Sequence, residues 1–269
     1  MTVHIHPTAL VSKKAQISED VTIGPYCIVE DDVAIGEGTK LEAFVHVRDC
    51  VRIGKNCRLF EHSVVGGLPQ DFDFKGEKSW AVLEDCVTLR ENVTVHRASG
   101  EDKKTVIREG SFLMEGVHVA HNVVVGPNCV IANKVGLAGY VTVGEGAVLG
   151  GMVGVHQFVR IGRYCMLGGL SKVVRDVPPF TLADGHPAMI RNINVVGLRR
   201  RGFSQEERSL IKGIYRFLFR SDMPFTEALS KLEETFGDSP YLREIREFAK
   251  SGKRGITHWR FPEKKESDQ

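Results

Sequence analysis

No stretch of this 269-residue chain approaches the roughly 18 consecutive apolar residues that a membrane-spanning helix needs. The opening residues, MTVHIHPTAL, lack the apolar core of a secretory signal, so a cytoplasmic location is expected. An excess of charge of one sign is missing: the net charge is +2, which argues neither for nor against nucleic acid as a partner. The six cysteines never stand in Cys-x-x-Cys spacing, so neither a zinc ribbon nor a thioredoxin-like motif is supported. Long alternating strand patterns are also missing, and helical periodicity is confined to the last third of the chain.

What the chain has instead is a period of six. Counted from Ile5, the first place of each hexad reads Ile5, Val11, Ile17, Ile23, Val29, Ile35, Leu41, Val47, Ile53, Leu59, Val65. The period returns at Leu83, Leu89 and Val95, and runs from Ile107 to Val173 without a miss. Interruptions at about 66–82 and 98–106 keep the phase, as loops extruded from a regular coil would. The pattern predicts a triangular parallel β-helix, three hexads per 18-residue coil, with the first place pointing inward. About ten coils at ~4.8 Å each make a prism roughly 45 Å long. The second place is often glycine, which suits a corner needing a free backbone. Cys27, Cys57, Cys129 and Cys165 take the small fifth place and read as buried hydrophobes. Resemblance to hexapeptide-repeat proteins implies left-handed coiling.

Past the proline-rich stretch at Pro178, Pro179 and Pro187 the repeat stops. We divide the chain into a coil domain, 1–187, and a helical domain, 188–269. Ser204 to Glu207 is a capping-box pattern opening a helix to about Phe219. A second helix is expected from about Pro224 to Phe236, and a third after Ser239-Pro240. Residues 261–269 are expected to fray. The run Arg199-Arg200-Arg201 is either a solvated face or a site for phosphates or an acidic protein.

Two histidines, His118 and His121, sit in GVHVAHNVVVG. They take the sixth and third hexad places, outside the inward aliphatic slot. The residues 18 ahead are Gly136 and Gly139, so a recess beside an imidazole is expected. A zinc pair, a general base and a structural role all remain open from the residues alone. Hexapeptide carbonic anhydrases space their paired histidines by five rather than three, which speaks against metal.

PQDF (69–72), VTVHR (93–97), HVAHN (118–122), GGMVGVHQF (151–158), GGLSKVVRDVPP (168–179) and GLRRRGFS (197–204) together resemble one family over nearly the whole chain. It is the acyl-carrier-protein–UDP-N-acetylglucosamine O-acyltransferases, which begin lipid A synthesis. The resemblance implies His121 as general base and a Gly139 backbone N–H as oxyanion donor. It implies that Asp71, His118, His156 and Gln157 hold the sugar nucleotide. Asn194, Arg200 and Arg201 would reach nucleotide and carrier, and Gly169 would limit acyl length. It also implies a homotrimer and no cofactor beyond the carrier's phosphopantetheine. Four positions depart from the family pattern: Asn122, Tyr140, Asp73 and Val196. They leave open a 3-amino analogue of the sugar as acceptor. Other hexapeptide acyltransferases, a non-enzymatic scaffold and a zinc hydro-lyase are the competing expectations.

Overall fold

In a computed structural model, which describes residues 2–260, the chain folds as a left-handed parallel β-helix followed by a short helical region. Three sheets of 11, 9 and 8 strands form its faces. Each hexad contributes a short strand from its sixth and first places, and the third and fourth places turn the corner. Strands stack in register with those 18 residues on, as in His118 on Gly136 and Val119 on Leu137. Across the first loop the offset becomes 30 (Leu59 on Leu89), and across the second 24 (Val95 on Val119). Both insertions are whole hexads, which is why the phase survives them.

The aliphatic first places from Ile23 onward are buried, and the small fifth places alternate with them along the chain. Cys27, Cys57, Cys129 and Cys165 are each 0% exposed. Burial pushes the thiols of Cys57 and Cys129 up to about 11 and that of Cys165 to about 12. They are inert packing groups. Ile5, in the first turn among the described residues, is exposed.

The corner glycines work differently from the expectation. The backbone enters the left-handed region at the fourth place, where Asn56, Asn92, Asn122 and Asn128 have φ between 53° and 59°. Asparagine tolerates that conformation better than most residues. Apart from Gly66, at the start of the first loop with φ 89°, the second-place glycines have ordinary φ. A Cβ at Gly36 would lie 2.6 Å from the Gly54 carbonyl group of the next coil. These glycines permit close approach of stacked corners rather than an unusual turn.

After the last coil, Thr181–Gly185 and Ala188–Ile193 form an antiparallel hairpin on the end of the 11-stranded sheet. Five helices follow among the described residues: α1 (Val195–Arg200), α2 (Gln205–Arg220), α3 (Phe225–Ser230), α4 (Leu232–Phe236) and α5 (Pro240–Lys250). The Ser204–Glu207 capping box opens α2, and Ser239 caps α5 with Pro240 in its first turn. Helix α2 buries Ile211, Ile214, Tyr215 and Leu218 in a second core shared with Phe180, Ile193 and the other helices, and the Tyr215 hydroxyl donates to the Pro179 carbonyl at 2.7 Å. The single helix expected over 224–236 is two, with Lys231 as both C-cap of α3 and N-cap of α4. Helix α1 was not expected: six residues carry too little periodicity to announce it. The expected fraying of 261–269 lies outside the described residues. No helix among the described residues is long and apolar enough to cross a membrane.

Candidate active site

His118 lies on the strand His118–Val119, and Gly136 and Gly154 follow it up the same column. A Cβ at either glycine would meet nothing within 4 Å. Two missing side chains therefore open a cleft of about 660 Å³ along one corner of the prism. His121 occupies the turn that follows His118. Gln70, Asp71 and Phe72 of the first inserted loop close one side, and His156, Gln157 and Lys172 line the upper coils.

His121 is nearly buried, at 5% exposure. Its Nδ1 lies 2.9 Å from Asn122 Oδ1 and 3.7 Å from Asp71 Oδ2. Its ring meets Tyr140 edge-on, with centroids 5.3 Å apart. A Cβ on Gly139 would fall 2.6 Å from His121 Nε2, so only glycine lets the backbone lie against that nitrogen. The Gly139 carbonyl accepts from Phe158, while its N–H reaches no backbone carbonyl among the described residues. The Asp73 backbone N–H holds the Asp71 carboxyl below the usual carboxylate range, helped by the Ser99 side chain and His121 and opposed by partial desolvation. The arrangement pairs a positioned imidazole with a backbone donor beside it, the equipment of acyl transfer.

His118 Nδ1 is 2.8 Å from Thr94 Oγ1, and His96 meets the His118 ring edge-on at 5.0 Å. Burial lowers the pKa of both, and for His96 the neighbouring His118 adds to the effect. The folded state therefore binds fewer protons than the unfolded chain once pH falls below the ordinary histidine value of about 6.5. Stability is full above that value and declines as pH drops through it, by at most about 1.4 kcal/mol per pH unit for each group. We expect a falling Tm between pH 7 and 5. A flat Tm there would show that neither ring is shielded from water.

Six of the ten positions singled out from the sequence meet in this cleft: Asp71, His118, His121, Gly139, His156 and Gln157. Four do not line it. Asn194 caps α1, accepting from the Gly197 N–H at 3.1 Å and donating to the Tyr164 carbonyl at 2.9 Å. Arg201 donates to the Gly146 carbonyl and lies over Tyr164. Arg200 is exposed on the last turn of α1. Gly169 sits at an exposed corner beside Leu170, one coil above Gly151. Lys172 and Phe72 were missed. Lys172 is marked by the 18-residue column from His118, whereas Phe72, fully exposed at the cleft mouth, has no such marker. No cluster of metal-ligating residues occurs among the described residues.

The coil and its histidine cleft define a hexapeptide-repeat transferase, and the bacterial transferase hexapeptide model matches residues 32–67 and 104–139. The model for domain 2 of UDP-N-acetylglucosamine O-acyltransferase matches residues 176–257. The acyl-[acyl-carrier-protein]–UDP-N-acetylglucosamine O-acyltransferase of Thermodesulfovibrio yellowstonii is 46% identical over 94% of this chain and 98% of its own length. The UDP-N-acetylglucosamine acyltransferase structure from Bacteroides fragilis superposes with a TM-score of 0.92 at 36% identity, over 94% of this chain and all of that one. The corresponding acyltransferase from Arabidopsis gives 0.85 at 30% identity, over 94% and 99%. The chain belongs to the acyl-[acyl-carrier-protein]–UDP-N-acetylglucosamine O-acyltransferase family.

Proposed function

We propose that this protein transfers a 3-hydroxyacyl group from acyl carrier protein to the 3-hydroxyl of UDP-N-acetylglucosamine, the first step of lipid A biosynthesis. The observation that carries the reading is His121, held with its ring against Gly139 beside the open column. His121 takes the proton of the sugar hydroxyl as that oxygen attacks the thioester carbonyl. The Gly139 N–H receives the developing oxyanion. The carbon–sulfur bond breaks, and the imidazolium returns its proton to the leaving thiolate. No covalent enzyme intermediate and no bound cofactor enters this scheme, since the donor brings its own phosphopantetheine. Asp71, His118, His156 and Gln157 hold the sugar nucleotide. Asn194, Arg200 and Arg201 act from the tail, with exposed Arg200 suited to carrier or nucleotide phosphate. The protein works in the cytoplasm as a homotrimer, with each cleft facing a neighbouring prism.

The test is incubation with UDP-N-acetylglucosamine, its 3-amino analogue and a panel of 3-hydroxyacyl carrier proteins, followed by mass spectrometry. Acylated UDP-N-acetylglucosamine is the expected product. Absence of acylation with every donor would end the proposal.

Gly169 supplies a second check. A Cβ there would be 3.2 Å from the Gly151 carbonyl oxygen, a tight but tolerable contact, and beyond it the corner is open. Gly169→Met would therefore project into an acyl chain running along this corner. Each methylene it displaces forfeits about 0.8 kcal/mol. The expected result is a shift in competition assays from long donors, on the order of 12–14 carbons by family resemblance, toward shorter ones. An unchanged product ratio would place the chain elsewhere.

A further inference from the structure

The hydrogen bonds around Asn122 decide which nitrogen of His121 faces the cleft. Asn122 Oδ1 accepts from the Ser99 backbone N–H at 2.9 Å, and Asn122 Nδ2 donates to the Ser99 carbonyl at 3.0 Å. This two-point clamp fixes the amide orientation, so the atom presented to His121 Nδ1 is an acceptor. Nδ1 must then carry the proton, and Nε2, the nitrogen against Gly139, is left with its lone pair free. The Asn122 backbone is fixed as well, at φ 59° with its N–H on Thr105 Oγ1 at 2.8 Å. Asp71 Oδ2, 3.7 Å from Nδ1, is too far to compete for that proton but close enough to act as a charge. The other titratable groups near the ring are Tyr140, edge-on at 5.3 Å, His118, which lines the same cleft, and His96, packed on His118. Burial lowers the pKa of His96 and His118 and raises that of the Tyr140 hydroxyl.

We infer that Asn122 and Asp71 share the direction of His121: the neutral amide sets its tautomer, and the nearby carboxylate stabilises the charge it gains. A single carboxylate hydrogen-bonded to Nδ1 would do both at once. Here the two jobs are separated, so they respond differently to substitution. Both are positioning roles and rest on His121 acting as the base in acyl transfer. When Nε2 takes the hydroxyl proton, the Nδ1–H stays on Asn122 and the new positive charge faces Asp71.

Three variants separate the roles. Asn122→Gly removes the amide while keeping a residue suited to positive φ. It should lower kcat by a factor on the order of 10², within the range for a general base, with KM for both substrates within about twofold. Asn122→Asp restores an acceptor and adds a charge. It should recover most of the lost kcat and move the acid limb of the kcat/KM profile to higher pH. Asp71→Asn removes the charge that favours the imidazolium and should move the same limb to lower pH. Nitrogen-15 NMR of histidine-labelled resting enzyme reads the tautomer without substrate. His121 should be protonated at Nδ1 in the wild type and a mixture in Asn122→Gly. An Nε2-protonated His121 in the wild type, or wild-type kcat in folded Asn122→Gly, would overturn the inference. If Asn122→Gly does not fold, the wild-type spectrum and the opposite pH shifts of the other two variants decide it. Failure of the wild type to acylate any sugar would remove the proposed function while leaving the tautomer measurement decisive for this one.

Discussion

Replacing His121 by alanine is expected to leave the coil folded and to lower turnover by a factor on the order of 10² to 10⁴, the usual worth of a general base. The ring sits in the third hexad place, outside the aliphatic stack, so no inward packing is removed. Its side-chain contacts are the bond to Asn122, the Asp71 carboxylate at 3.7 Å, the edge of Tyr140 and the closeness of Gly139. Asn122 keeps both of its Ser99 bonds when the imidazole goes, and the corner stays anchored. The melting temperature should therefore change little while kcat collapses. The check is a pair of measurements on one preparation: thermal unfolding by circular dichroism, and acyl transfer under saturating substrates. A folded His121→Ala protein with turnover near the wild-type rate would show that the proton leaves the sugar by another route. Glutamine is a useful companion, since it fills similar space with an amide that has no basicity. Activity in His121→Gln comparable to that of alanine would assign the loss to proton transfer rather than to a hole in the cleft.

The repeat was readable because each hexad places one residue in a slot with a single demand. Leu137 and Ile131 must be aliphatic since nothing else fills the interior of a coil, and Cys129 must be small since its fifth place lies beside them. The cleft was readable for the same reason. Once 18 residues make a coil, Gly136 and Gly154 fall over His118, and two successive missing side chains define an opening. Signals without a period were harder. Helix α1 is too short to show a face, and its cap, Asn194, looked from the sequence only like a tail residue of the family. Second-place glycines suggested a corner needing a free backbone, yet the constraint is the distance to the next coil, which no local pattern displays. Asn122 read as a departure from the family, a missing carboxylate. Its partner Ser99 is 23 residues away across an inserted loop, so only the folded chain shows the clamp that makes an amide effective.

The largest expected loss of stability comes from Asp176, which joins the coil to the helical region. Its side chain is completely buried. Oδ1 accepts from the Arg160 backbone N–H at 2.8 Å, and Oδ2 accepts from Arg160 Nε at 2.9 Å with the second guanidinium nitrogen at 2.8 Å. Arg160 uses its remaining donors on the end of α5, bonding the Phe248 carbonyl and Ser251 Oγ at 2.7 Å each, and its guanidinium covers the Phe248 ring. A cation at the carbonyl end of a helix is favourable in itself. The Asp176 backbone adds two more links, to the Gly255 carbonyl and from the Thr257 N–H. Asp176→Ala leaves the backbone links in place but strips a largely buried guanidinium of its counter-charge and leaves a buried N–H without an acceptor. Breaking such a pair from one side costs about 3–5 kcal/mol. The expected result is a denaturation midpoint lowered accordingly, with amide exchange accelerated in α5 more than in the central coils. Asp176→Asn keeps one acceptor oxygen for Arg160 and should lose less. The double variant Asp176→Leu/Arg160→Met removes both charges and should recover part of the loss, because the penalty lies mainly in the charge left behind. A single Asp176→Ala variant within about 1 kcal/mol of wild type would mean that water reaches Arg160 in solution and that the apolar contacts of Tyr215 and Phe180, not this ion pair, hold the helical region to the coil.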